Sequence, residues 1–136
     1  MDDRQLVELA CAARGRAYAP YSGFSVGAAL LDADGRVWQG CNIENAAFGP
    51  TVCAERVALF KAVSEGVRSF EALAVVGGPA GEEIAAFTTP CGVCRQVLRE
   101  FCPDGFRIIL ASPDGNLRTT TLGELLPQSF GPENLS

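Results

Sequence analysis

The chain has 136 residues, a net charge of −5 and 48% apolar residues, which suits one packed domain over 1–136 and argues against disorder. It carries one lysine and no basic run, so nucleic acid is not an expected partner, because phosphate-backbone binding needs a positive face. No apolar run approaches the roughly 18 residues of a membrane span, and the absence of histidine excludes Ser-His and Cys-His catalysis and any imidazole metal site.

Leu6, Leu9, Ala10, Ala13 and Ala17 recur at three- and four-residue steps, which predicts an amphipathic helix over 3–16 with Asp2 and Asp3 available as caps. Cys11 on this helix reads as a small buried apolar residue. Residues 19–23, Ala-Pro-Tyr-Ser-Gly, break the helix. Strands are predicted at 24–32 and 36–42, joined by a hairpin at Asp34-Gly35. Residues 43–52 form a loop, and a helix follows from Cys53 to about Ser64, ended by Gly66. Residues 72–76 read as a buried strand and 81–89 as irregular. Pro90 opens a helix over about 91–101. Strands at 106–111 and 117–120 come next, and a helical turn at 122–126 stops at Pro127.

This order, α-β-β-α-β-α-β-β-α, predicts an α/β fold: a three-layer α/β/α sandwich around a mixed five-stranded sheet. Its β-α-β-α-β centre is expected to be parallel. Ligands in such sheets sit at the carboxyl ends of strands, beside helix N-termini. Both cysteine motifs fall at such junctions.

The N-terminus lacks a signal-peptide pattern, so the chain is expected in the cytoplasm. There, six cysteines more often mean free thiols, metal ligands or redox groups than disulfides. Cys91-Gly92-Val93-Cys94 at a helix start puts two sulfurs about a turn apart on one face, as a tetrahedral ion requires. Cys53 heads another helix, and helix N-termini favour the thiolate. Three thiolates leave one position on Zn²⁺ open, the pattern of a catalytic site with one ion per chain. Three thiolates and Zn²⁺ sum to −1, a charge that two helix N-termini and Arg56 are expected to offset, so Arg56 should face the cysteines. Glu55 stands two residues after Cys53, and regular helix would point the two side chains apart. Both can face one ion only if Cys53 is the cap, outside helical dihedrals. From there Glu55 is placed to act as general base and then general acid.

Two other readings stay open on the residues alone. Cys-Gly-Val-Cys before a helix also suits a thioredoxin-type redox pair, although that leaves Cys53-Ala54-Glu55 unexplained. A structural four-cysteine zinc site would need Cys41 or Cys102 as fourth ligand, and Cys102 stands about two turns beyond Cys94. Asn42 and Glu44 alternate on an extended segment and can share a face.

Cys53-Ala54-Glu55-Arg56, the run Pro90 to Leu98, the run Tyr21 to Leu30, Asn42 to Ala46 and the tail Leu126 to Pro132 together resemble the homotetrameric cytidine deaminase family over about 20–132. The resemblance implies zinc-dependent hydrolysis of cytidine and deoxycytidine to uridine and deoxyuridine, with release of ammonia, in pyrimidine salvage. It implies a small nucleoside as substrate and no organic cofactor. Asn42 and Glu44 are then expected on the ribose hydroxyls, Phe24 against the nucleoside and the Ala54 N–H on the base carbonyl. Ala46, Phe48 and Phe130 would reach a neighbouring subunit's site. Phe48 departs from the Tyr that relatives often carry, so any contact through that hydroxyl is lost. The lack of a basic cluster argues against phosphorylated nucleotides, and a cytosine-containing antibiotic such as blasticidin S is the alternative substrate.

Overall fold

The computed structural model covers residues 1–136. Ten elements follow in chain order: α1 (Asp3–Arg14), β1 (Phe24–Asp32), β2 (Val37–Cys41), α2 (Ala54–Ser64), β3 (Phe70–Pro79), α3 (Gly92–Arg99), β4 (Arg107–Ala111), β5 (Leu117–Thr121), α4 (Leu122–Leu125) and a 3₁₀ turn at Pro132–Asn134. All the predicted elements form, and β3 is longer than expected because Phe70, Gly77 and Gly78 join its ladder to β1.

The sheet order is β2-β1-β3-β4-β5. β1 runs antiparallel to both β2 and β3, β3 pairs parallel with β4, and β5 closes the edge antiparallel to β4. The expected parallel centre therefore holds for the β3-α3-β4 unit. β2 runs in the same direction but is not adjacent, because the hairpin strand β1 lies between it and β3.

Period-two alternation splits the sheet into two apolar faces. Ala28, Leu30, Leu73, Val75, Ile108 and Leu110 pack with Ala54, Ala58 and Leu59 of α2, Leu98 of α3 and Leu122 of α4. Ala29, Leu31, Ala72, Ala74, Val76 and Ile109 pack with Leu6, Val7 and Ala10 of α1. Helices thus cover both faces, and the α/β/α sandwich is as expected. Asp2 caps α1 in a reciprocal box: its carboxylate accepts the Gln5 N–H at 2.8 Å, and the Gln5 side chain accepts the Asp2 N–H at 2.9 Å. Cys11, read from sequence as buried, is exposed. The buried stripe of α1 is Leu6, Val7, Ala10 and Ala13, and Cys11 lies off it.

α2 rests very close to the sheet. A Cβ on Gly40 would stand 2.3 Å from the Ala54 carbonyl oxygen and 2.6 Å from the Ala58 nitrogen. Only a glycine lets the first turn of α2, which carries Cys53 and Glu55, settle on β2.

Asp32 organises the β1–β2 hairpin from a buried position. It accepts the N–H groups of Asp34 at 2.9 Å and Arg36 at 3.0 Å, and the indole N–H of Trp38 at 3.0 Å. Burial is the largest single effect on this carboxyl and pushes its pKa up, but the bonds from Trp38, Arg36 and Asp34 together hold it below the ordinary value. A group whose pKa falls on folding contributes stability above its unfolded pKa and loses that contribution as acid protonates it in the fold. Asp32→Asn is therefore expected to be less stable at neutral pH by on the order of 2 kcal/mol. The deficit should narrow as the pH falls below about 4. Urea unfolding followed through Trp38 fluorescence measures both, and a deficit that ignores pH would mean the charge is not its source.

Candidate metal centre

α2 and α3 begin at the carboxyl ends of β2 and β3, and each is capped by a cysteine. Cys53 is the N-cap of α2, with φ −74° and ψ 156°, and Cys91 is the N-cap of α3, with φ −67° and ψ 167°. Both are extended, so Cys53 stands outside helical dihedrals as the spacing to Glu55 requires. Cys94 follows one turn into α3 and is fully buried. The three sulfurs lie within 4.8 Å of one another, with Cys53 and Cys91 at 3.7 Å and Cys91 and Cys94 at 3.4 Å. Tetrahedral zinc with Zn–S bonds of about 2.3 Å sets its sulfurs about 3.8 Å apart, close to these spacings. The cluster has three members, and neither Cys41 nor Cys102 belongs to it. Cys102 is a core residue whose thiol burial pushes up to about 12.

The environment already favours charge on one sulfur. Cys53 is brought down to about 5, first by the Cys94 thiol and then, against the cost of burial, by Arg56 and Cys91. Cys94 shifts the opposite way, held protonated by its contact with Cys53 and by burial. The Arg56 guanidinium donates to Cys53 Sγ at 3.6 Å, and its Nε is buried without a partner. Arg56 thus faces the cysteines rather than solvent.

Glu55 is 4% exposed, and its Oε1 is buried without a hydrogen-bond partner. Burial raises its pKa to about 7, assisted by the neighbouring Cys53 charge. A carboxyl near neutrality can both take and give a proton at physiological pH. The soft donor set, its spacing and this orphaned carboxylate fit a catalytic zinc ion.

Of the other expected site residues, Phe24 opens β1, Asn42, Glu44, Ala46 and Phe48 lie on the loop after β2, Ala54 starts α2 and Phe130 lies on the C-terminal tail. Asn42 is buried and spends its amide on β1, donating to the Phe24 carbonyl at 2.9 Å and accepting the Val26 N–H at 2.8 Å. Glu44 accepts from the turn at Tyr21 and Ser22. Phe24 is 37% exposed at the start of β1. Ala54 is buried at the first position of α2, where backbone N–H groups have no partner within the helix. Ala46 is exposed, and Phe48 is 70% exposed with φ 60°, its ring edge-on to Tyr21 at 6.1 Å. A left-handed φ on a bulky residue is unusual and concentrates at functional loops. Phe130 is exposed on a tail that α3 holds: Gln96 donates to its carbonyl at 3.0 Å, and Arg99 donates to Ser129 Oγ at 2.8 Å. Nothing in the sequence singles out Tyr21 and Ser22 as partners of Glu44. Their pairing spans more than 20 residues, and only the fold creates it.

Comparison with known proteins agrees with this geometry. The family model for the cytidine and deoxycytidylate deaminase zinc-binding region matches residues 1–109. The chain belongs to the cytidine and deoxycytidylate deaminase family. A cytidine deaminase of Sporosarcina psychrophila is 51% identical over 136 residues, which is 100% of this chain and 96% of that protein. The crystal structure of a cytidine deaminase from Burkholderia pseudomallei superposes with a TM-score of 0.87 at 48% identity, covering 96% of this chain and all of the other. A blasticidin-S deaminase of Bacillus cereus is 34% identical over 108 residues, 77% of this chain and 76% of that protein. Membership of a zinc deaminase family leaves no room for the thioredoxin-type reading of Cys91 and Cys94. No helix is long and apolar enough to cross a membrane.

Proposed function

We propose that this chain is a zinc-dependent hydrolase that converts cytidine and deoxycytidine, with water, to uridine and deoxyuridine plus ammonia. The observation that carries the reading is the buried Glu55 carboxylate, its Oε1 without a partner, beside three thiols converging from two helix N-termini. Cys53, Cys91 and Cys94 would hold the metal, one ion per chain. Zinc, when bound, polarises water and lowers its pKa from about 15.7 towards about 7. Glu55 takes a proton from the water that adds to C4 of the base and delivers it to N3. It then takes the proton of the new C4 hydroxyl and passes it to the amino group as the C4–N bond breaks and ammonia leaves. Arg56 offsets the excess negative charge of the sulfurs through its contact with Cys53.

Around the base and sugar, Phe24 packs against the nucleoside, the Ala54 N–H meets the base carbonyl, and Asn42 and Glu44 face the sugar hydroxyls. One N–H of Asn42 is left over from its contacts with β1. The whole chain acts as one catalytic domain of a cytoplasmic homotetramer in pyrimidine salvage. Exposed Phe48, Phe60, Val93 and Phe130 support burial against other copies, with Ala46, Phe48 and Phe130 reaching a neighbour's site. The antibiotic deaminase is the weaker reading, at 34% identity against 51%.

Ultraviolet assay of cytidine turnover with and without a zinc chelator tests the reaction. Turnover that needs zinc, and a kcat/KM on cytidine far above that on blasticidin S, are the expected results. Metal-independent turnover would refute the mechanism, and a light-scattering mass of one chain would refute the shared site.

A further inference from the structure

The Glu44 carboxylate is nearly saturated by its own chain. Oε1 accepts the Tyr21 N–H at 2.9 Å and the Ser22 N–H at 3.1 Å, and the Ser22 hydroxyl donates to Oε2. The same hydroxyl oxygen accepts the Phe24 N–H at 3.0 Å. One serine therefore ties together two of the residues read above as facing the nucleoside. Gly23, with φ 68°, gives the turn the left-handed step that brings Ser22 over Glu44. Glu44 also lines a depression of about 380 Å³ with Tyr21, Ser22, Phe48 and Thr51.

A carboxylate has about four acceptor positions. Two on Oε1 and one on Oε2 are taken, which leaves a single lone pair on Oε2. The Ser22 hydroxyl, first among the causes, holds the Glu44 carboxyl below its usual range, so the group accepts and does not donate.

We propose that Ser22 is a positioning residue: its hydroxyl locks the Glu44 carboxylate so that the one remaining Oε2 lone pair accepts a single sugar hydroxyl of the substrate. This rests on the reading that Glu44 faces the sugar. It adds that the Ser22–Glu44 pair sets the requirement for that hydroxyl, because an acceptor locked in place has no use for a sugar carbon bearing only hydrogen. Ser22 is exposed in a turn, so changing it leaves the core intact. It supports binding equally in ground and transition states, and its loss therefore appears in KM.

The test uses the zinc-loaded full chain with cytidine and its three analogues lacking the 2′-, 3′- or 5′-hydroxyl. Ser22→Ala is expected to raise KM for cytidine about tenfold, while kcat stays within about twofold. Ser22→Thr, which keeps the hydroxyl, should restore KM. The Ser22→Ala penalty should vanish on one analogue only, the one without the hydroxyl that Glu44 accepts, and Glu44→Gln should show the same substrate dependence. A Ser22→Ala penalty equal on all four substrates, no penalty on any, or a loss confined to kcat would overturn the proposal. If Glu44→Gln leaves KM unchanged on every substrate, the placement of Glu44 itself fails. If Glu44→Gln is selective while Ser22→Ala is silent, only the role of Ser22 fails.

Discussion

Glu55→Gln is expected to keep its zinc and lose turnover by on the order of 10³-fold, because glutamine fills the same space but cannot carry a proton. The carboxylate is not one of the three clustered ligands, so metal content should remain near one ion per chain. Steady-state kinetics and metal analysis on the same sample decide, and a variant with parental turnover would remove Glu55 from the mechanism. Stability should move the other way. Burial raises the Glu55 carboxyl to about 7, above its unfolded value, so in the metal-free protein ionising it weakens the fold as the pH rises through that window. The variant lacks this cost. Its advantage over the metal-free parent should grow between about pH 4.5 and 7, to on the order of 3 kcal/mol. Urea melts at several pH values with chelator present would show it. A pH-independent difference would mean that the carboxylate is not destabilised as described. A residue kept at a cost in stability is what a catalytic role leads one to expect.

Cys94→Ser is the second large effect. Serine is nearly isosteric, but its hydroxyl does not deprotonate near neutral pH, so the site keeps two thiolates and loses a charge-bearing ligand. Zinc content is expected to fall well below one per chain, and turnover to fall to background. Cys94 is fully buried, whereas Cys11 is exposed on α1, outside the sulfur cluster. Cys11→Ser should therefore leave both zinc content and turnover at parental levels. Stoichiometric zinc and normal turnover in Cys94→Ser would show that the clustered sulfurs are not the ligand set.

The metal centre was readable from residue spacing, whereas the residues expected around base, sugar and neighbouring subunit came only from the family resemblance. A cysteine two residues before a glutamate, and a second pair of cysteines three apart after a proline, imply two helix N-termini facing one ion. The extended dihedrals of Cys53 and the contact of Arg56 with its sulfur follow that logic. The sheet was legible in element order but not in neighbours. β1 enters between β2 and β3, and local sequence cannot say which strand a hairpin partner will choose on its other edge. Cys11 differs for another reason: its burial is expected from residue type, since free cysteines are commonly buried, whereas it lies off the periodic stripe and is exposed on α1.

Composition and spacing alone, then, narrowed the chemistry without choosing it. Without histidine a metal site cannot use imidazole, and the three cysteines with Glu55 pointed to zinc while a redox pair and a structural site stayed open. What only the tertiary structure decided is how those groups are tuned and what holds their neighbours. The elevated Glu55 carboxyl comes from burial of the first turn of α2 against the sheet, which the close approach at Gly40 permits. The nearly saturated Glu44 carboxylate, with one lone pair left on Oε2, comes from a turn more than 20 residues upstream. Burial and long-range pairing arise only when distant segments are packed together, and no window of sequence contains them.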